Sequence, residues 1–235
     1  MASSHGGALA VALHDLQHIF ADRLLSFAAY GAPGATLAPS IALVRSIGMS
    51  DLEQCAAHAA AWHRAGCATP LLLTQQEFAA SLDAFPIEYG EILSTHQMLF
   101  GADLFAGLAI DPADARRACE VQVKSHLVHL RENYIESRGR QSDIRALVAE
   151  AAPGFALILR RLAHLDGRPA TTIAELSRYA VERPRLDPRV VGDVLALAEH
   201  ADAAGVDAMR LYPNYLAAME QLWIFIDGWR AEGRR

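Results

Sequence analysis

Lysine is almost missing from this 235-residue chain, occurring once as Lys124. Its positive charge is therefore nearly all guanidinium, a group suited to planar pairing with carboxylate or phosphate. Cysteine is sparse as well: Cys55, Cys67 and Cys119 form an odd set without a CxxC pair, which excludes a disulfide framework and a zinc ribbon. No apolar run approaches the roughly 20 residues needed to cross a bilayer, so no membrane partner is expected. The opening MASSHGGALAVALHDLQHIF lacks the basic start of a secretory signal, and Asp15 follows its short apolar stretch. A cytoplasmic location is the expectation. Net basic charge is lacking too; at −6, with a sequence pI near 5.9, the chain is not expected to coat nucleic acid. There is no GxSxG elbow, P-loop or GxGxxG, and Gly31-Ala32-Pro33-Gly34 reads as a turn. No catalytic residue is assigned on these grounds. What the chain does have is 52% hydrophobic residues, enough to exclude disorder and build a large core.

Charge is unevenly spread. Residues 1–111 hold three basic side chains against ten acidic ones, and residues 112–235 hold 18 against 17. The style of the chain changes at the same place. Before Asp111-Pro112, apolar positions at helical spacing from Ala8 to Asp22 predict a helix, followed by strand-like runs at Leu24–Tyr30 and Ser40–Ile47. Ser50-Asp51-Leu52-Glu53 opens an alanine-rich helix ending near Gly66. Ala68–Leu73 reads as a third strand, and Thr74 with Glu77 forms a capping box for a short helix. Phe85-Pro86-Ile87-Glu88-Tyr89 reads as a fourth, edge-like strand. Past Pro112, helices are expected at 113–138, 142–165 with a break at Pro153-Gly154, 171–182, 188–203 and 207–230. The prediction is an α+β chain dominated by helix: a small mixed-sheet domain over 1–111 and an all-helical bundle over 112–235.

This order resembles bacterial nucleotidyltransferase-fold proteins of the minimal or antibiotic-modifying type. Leu25 to Gly31 looks like their strand entering a Gly-Ser turn. Phe85 to Tyr89 followed by His96 and Leu99-Phe100-Gly101, and Leu130-Arg131-Glu132-Asn133-Tyr134, are further echoes. In that family the turn is followed by two carboxylates one residue apart, which hold the divalent metal that clamps a triphosphate and activates the attacking hydroxyl. Here the turn reads Gly31-Ala32, the next strand carries Ser40 and Ala42 at those places, and no Asp or Glu lies between Arg23 and Ser50. The resemblance therefore implies the fold with a degenerate metal site, and no metal ligand or cofactor is assigned; magnesium belongs only to an alternative in which Asp51, Glu53 or Glu88 act as relocated acids.

The most informative spacing lies in the first bundle helix, where Arg117, Lys124, Arg131 and Arg138 stand seven apart and drift only about 20° per step. Two readings stay open: Lys124 and Arg131 bind phosphate or carboxylate between the halves, or the stripe makes structural ion pairs. With the first reading go Gly31 as a close backbone approach and Tyr134 and Glu88 as cleft walls. His14 and His18, four apart, lack a third ligand, and His126 and His129 are placed on the solvated face. The final helix, with Trp223, Ile226 and Trp229, is mostly core, with Tyr212, Phe225 and Trp229 as an exposed patch. The expected function is non-catalytic binding of a nucleotide-like or other anionic ligand, or of a protein partner, including a second copy held through the C-terminal helix. A metal-dependent nucleotidyltransferase and a structural helical partner are the alternatives.

Overall fold

A computed structural model describes residues 3–31, 37–170 and 172–230. The architecture is α+β and mostly helical, and the chain divides into two compact units, 1–111 and 112–235. No helix among the described residues is long and apolar enough to cross a membrane.

The first unit runs α1 (Ser3–Phe20), a 3₁₀ turn at Ala21–Arg23, β1 (Leu24–Ala29), β2 (Ser40–Val44), α2 (Met49–Ala65), β3 (Leu71–Thr74), α3 (Gln75–Ala80), α4 (Pro86–Thr95) and β4 (Gln97–Gly101). The sheet order is β3-β2-β1-β4. β1 pairs antiparallel with both β2 and β4, while β2 pairs parallel with β3 across α2. Strand side chains alternate between two faces. Phe27, Ala42 and Val44 meet Leu16 and Phe20 of α1 and Trp62 of α2 on one face. Ala28, Ile41 and Leu43 meet Phe78 of α3 and Tyr89 and Ile92 of α4 on the other. The β1–β2 layer is thus mostly apolar on both sides, with Ser26 and Ser40 as its buried hydroxyls, as in a strand pair covered by helices.

Local chemistry explains several element ends. Thr74 Oγ1 accepts from the Glu77 N–H and Glu77 returns a carboxylate to the Thr74 N–H, so the capping box forms. Asp51 accepts both prongs of the Arg23 guanidinium at 2.7 Å and the Gly48 N–H at 2.9 Å, which pins the start of α2 to the 3₁₀ turn. The expected strand at Phe85–Tyr89 is a correction: Pro86 occupies the first turn of α4, where its missing N–H costs nothing and its fixed φ favours a helix. Tyr89 and Ile92, one turn apart, bury the inner face. The fourth strand lies later, at Gln97–Gly101, and its half-buried Met98 and Phe100 alternate with exposed neighbours. It ends at Gly101, whose φ is +77° and whose missing Cβ would stand 2.0 Å from the Leu25 carbonyl oxygen. Only glycine fits there.

The second unit contains α5 (Pro112–Ser137), α6 (Gln141–Leu165), α7 (Ile173–Glu182), α8 (Pro188–Glu199) and α9 (Ala208–Asp227). α6 is central, packing against α5, α7, α8 and α9, and its Val148, Ala152, Phe155 and Leu159 are buried. The expected break at Pro153 does not occur. Pro153 leaves the Ala149 carbonyl without its helical donor, but burial of the neighbouring Ala152 and Phe155 holds the helix continuous. Asp187 and Asp207 cap α8 and α9 by accepting backbone N–H groups.

Two buried polar clusters tie this unit together. Asp166, just past α6 with a side chain 2% exposed, accepts from Tyr179 Oη at 3.1 Å, Arg183 Nε at 2.9 Å and Trp229 Nε1 at 2.7 Å. This corrects the expected exposed patch: Trp229 is half-buried because its indole N–H finds a partner inside, and Tyr212 is buried with its hydroxyl donating to the Leu130 carbonyl. The exposed large apolar side chains of α9 are instead Met209, Trp223 and Ile224. The second cluster corrects the placement of His126, which does not lie on the solvated face. It lies 2.6 Å from Tyr215 Oη, and that hydroxyl reaches the Ala151 carbonyl. With the hydroxyl donating to Ala151, the His126 Nε2–H donates to Tyr215. Gly154 leaves room for the ring, since a Cβ there would stand 3.0 Å from it.

Candidate functional site

Ser40 and Ala42 project from β2 toward the α1–α2 side of the sheet and are both fully buried. Ser40 Oγ lies 3.9 Å from Cys67 Sγ, opposite Ala29 in the ladder, while Ala42 stands opposite Phe27. Burial raises the Cys67 thiol above its ordinary value, so this is a closed, apolar corner without a thiolate. Gly31, just past β1, has φ +85° and donates its N–H to Thr95 Oγ1 at 2.9 Å. The Ala32-Pro33-Gly34 part of the expected turn lies outside the described residues.

Glu88 is exposed in the first turn of α4. Asp51 is fully engaged by Arg23 and the Gly48 N–H, and Arg23 holds its carboxyl down to about 2. Glu53 is exposed on α2. Among the described residues no three His, Cys, Asp or Glu side chains converge as a metal site. His14 and His18 stack edge-on at 4.3 Å, with His18 Nδ1 against the His14 carbonyl. His58 Nδ1 and Trp62 Nε1 both point to Asp15 Oδ2, at 3.1 and 2.8 Å.

Three members of the basic stripe, Arg117, Lys124 and Arg131, pair with carboxylates of their own unit. Lys124 Nζ contacts Glu120, which also accepts from Arg116 Nη1, and lies 5.1 Å from the centre of the Trp223 ring. Arg131 Nη2 donates to Glu220 Oε1 on α9 at 2.7 Å. Arg117 sits 3.4 Å from Asp114, and Arg138 has left the helix with φ +52°.

Arg131 and Tyr134 are nevertheless brought together. They line an open groove of about 560 Å³ between α5, α6 and α9. Tyr134 stacks on Tyr212 with ring centres 4.6 Å apart and planes 13° off parallel. Ile135, Ile144, Met209, Pro213 and Leu216 supply the remaining apolar wall. The sequence reading put Arg131 and Tyr134 at a cleft between the halves and Tyr212 in an exposed patch of the last helix; this groove lies within the helical unit, and Met209, Tyr212 and Leu216 recur at the helical spacing of one face.

No family model and no curated protein sequence matches the chain. Among solved structures, the spectinomycin adenyltransferase AAD(9) from Enterococcus faecialis, crystallised with ATP and spectinomycin, is similar. The match has a TM-score of 0.55 and 11% identity, covering 92% of this chain and 98% of that one. The fold is nucleotidyltransferase-like.

On this nucleotidyltransferase-like frame, the resemblance puts a metal-holding carboxylate pair at 40 and 42. The residues there do not fit a divalent cation. A hydroxyl and a methyl offer no anionic oxygen, where a hard cation needs several oxygen ligands. Both side chains are also packed under α1 and α2 with no water access.

Proposed function

We propose that this chain uses the nucleotidyltransferase fold for binding rather than for transfer, and that its ligand is a nucleotide-like or other anionic molecule. The observation that carries this reading is the burial of neutral Ser40 and Ala42 where metal-dependent transfer needs paired carboxylates. The similar adenyltransferase was solved with ATP, which supports a nucleotide as the first ligand class to try. The test is a thermal-shift screen of the full chain against the four nucleoside triphosphates, with and without magnesium. A ligand at 100 times its Kd stabilises by about 2.7 kcal/mol, so a clear upward shift independent of magnesium is expected. Metal-dependent transfer of label to an acceptor, abolished by Asp51→Asn, Glu53→Gln or Glu88→Gln, would overturn it. No shift with any nucleotide would remove the nucleotide from the reading.

A second reading, a homodimer through α9, is favoured by Ile224, 73% exposed beside Trp223. Its test is a concentration-dependent mass that Ile224→Glu abolishes.

A further inference from the structure

The α5–α6–α9 groove differs from an ordinary apolar patch in three ways. First, among the described residues that line it, Arg131 is the only charged one, so the groove has one cationic point in an otherwise apolar and aromatic wall. Second, that guanidinium is held through a single nitrogen by Glu220, with both side chains 47% exposed. Among the described residues its Nε and Nη1 groups make no hydrogen bond. Exposed pairs of this kind contribute little, so an incoming anion can join or displace Glu220. Third, the aromatic wall is already ordered. Tyr212 is fixed by its bond to the Leu130 carbonyl, and Tyr134 lies flat on it. A wall that need not be ordered on binding favours affinity. The volume of about 560 Å³ falls in the range of roughly 300–1,000 Å³ taken by small molecules.

We propose that this groove binds a small flat aromatic molecule carrying one anionic group, its ring against Tyr134 and the apolar wall and its acid on Arg131. This deepens the reading of the chain as a binder of an anionic ligand, and rests on it, by giving that ligand a place and a body.

The test is fluorescence titration of the full chain with anilinonaphthalene sulfonate, a flat aromatic anion, alongside its uncharged counterpart N-phenylnaphthylamine. Tyr134→Ala is expected to weaken sulfonate binding about tenfold or more and Tyr134→Phe to leave it within about twofold, since the ring is kept. Arg131→Gln is expected to weaken the sulfonate about tenfold and the uncharged probe hardly at all, as befits a charge-assisted contact. Unchanged thermal melting of each variant keeps misfolding out of the result. Sulfonate binding that ignores both Tyr134→Ala and Arg131→Gln would overturn the groove assignment. A nucleotide shift that persists in Tyr134→Ala would keep the binding-protein reading while moving its ligand elsewhere. Probe binding lost with these variants, together with no response to any nucleotide, would keep the groove and discard the nucleotide. A concentration-dependent mass abolished by Ile135→Glu, without probe binding, would give the groove to a second copy and overturn the proposal.

Discussion

The two units arrange their buried polar groups differently. The sheet unit buries isolated polar groups: on either face of β1 and β2 the contacts are mostly Phe27, Ala42, Ile41 and Leu43 against helix side chains, with single hydroxyls at Ser26 and Ser40. Its bidentate ion pair, Arg23–Asp51, buries one carboxylate where α2 begins. The helical unit joins its polar groups into networks that link helices, in the Asp166 cluster and the His126–Tyr215–Ala151 chain. The difference has a physical source. A paired strand satisfies its backbone through the ladder and can be covered by apolar side chains alone. A bundle whose central helix contains Pro153, and whose last turn is bonded by Trp229, uses side-chain hydrogen bonds to fix how its helices meet. The first unit should therefore be brittle toward shape changes and the second toward charge and pH.

The largest effect expected from this contrast is Gly101→Ala. A methyl 2.0 Å from the Leu25 carbonyl, on a residue with positive φ, forces β4 off β1 and should destabilise the first unit by about 4 kcal/mol or more. Urea unfolding is the measurement, and a change below about 1 kcal/mol would show that the edge of the sheet yields instead. Next is Asp166→Ala, which leaves Tyr179, Arg183 and Trp229 without their shared acceptor. The second unit should lose about 3 kcal/mol, with Trp229 emission moving to longer wavelength as the indole becomes wet.

Acid should separate the units. Burial, and then the nearby His129, holds the His126 imidazole down to about 4 from an ordinary 6.5. The folded form thus binds fewer protons than the unfolded one, so stability is full above pH 6.5 and falls between about 6.5 and 4. The loss is on the order of 3 kcal/mol. In the sheet unit, Asp51 is held down to about 2 from 3.8. Its contribution is intact above about pH 4 and disappears as pH falls through 2. Between pH 6 and 4 the helical unit should loosen first, as read by amide exchange at Tyr215 against Phe27, and His126→Gln should flatten that slope. The smallest effect is a matched pair: Thr74→Ala and Thr172→Ala remove the same capping box from each unit and should each cost about 1 kcal/mol. Equal losses from the two would show that the contrast lies in the cores and not at the helix ends.

Much of the first unit was legible from local pattern. Glycine at the ends of β1 and α2, the Thr74–Glu77 box, and the change of style at Asp111-Pro112 all speak within a few residues. Phe85–Tyr89 misled because Pro86 serves equally at a strand edge and at a helix start, and the choice rests on Tyr89 and Ile92 packing beneath the sheet. His126 misled for a similar reason: on the helical wheel it sits at the border of the polar face, and Tyr215, 89 residues away, draws it inside. The candidate site was half legible. Arg131 and Tyr134 stand on one helix and show in its spacing, but the stack on Tyr212 and the single-pronged bond to Glu220 need α9 alongside α5.

The sequence by itself determined that this chain is helix-dominated and α+β, and that it carries no acid between Arg23 and Ser50, because residue type and spacing are local properties. The tertiary structure decided that Ser40 and Ala42 are core, that Asp51 belongs to Arg23, and that Arg131 and two tyrosines share a groove. Burial and pairing depend on which distant segments arrive at the same place, and no one-dimensional pattern fixes that.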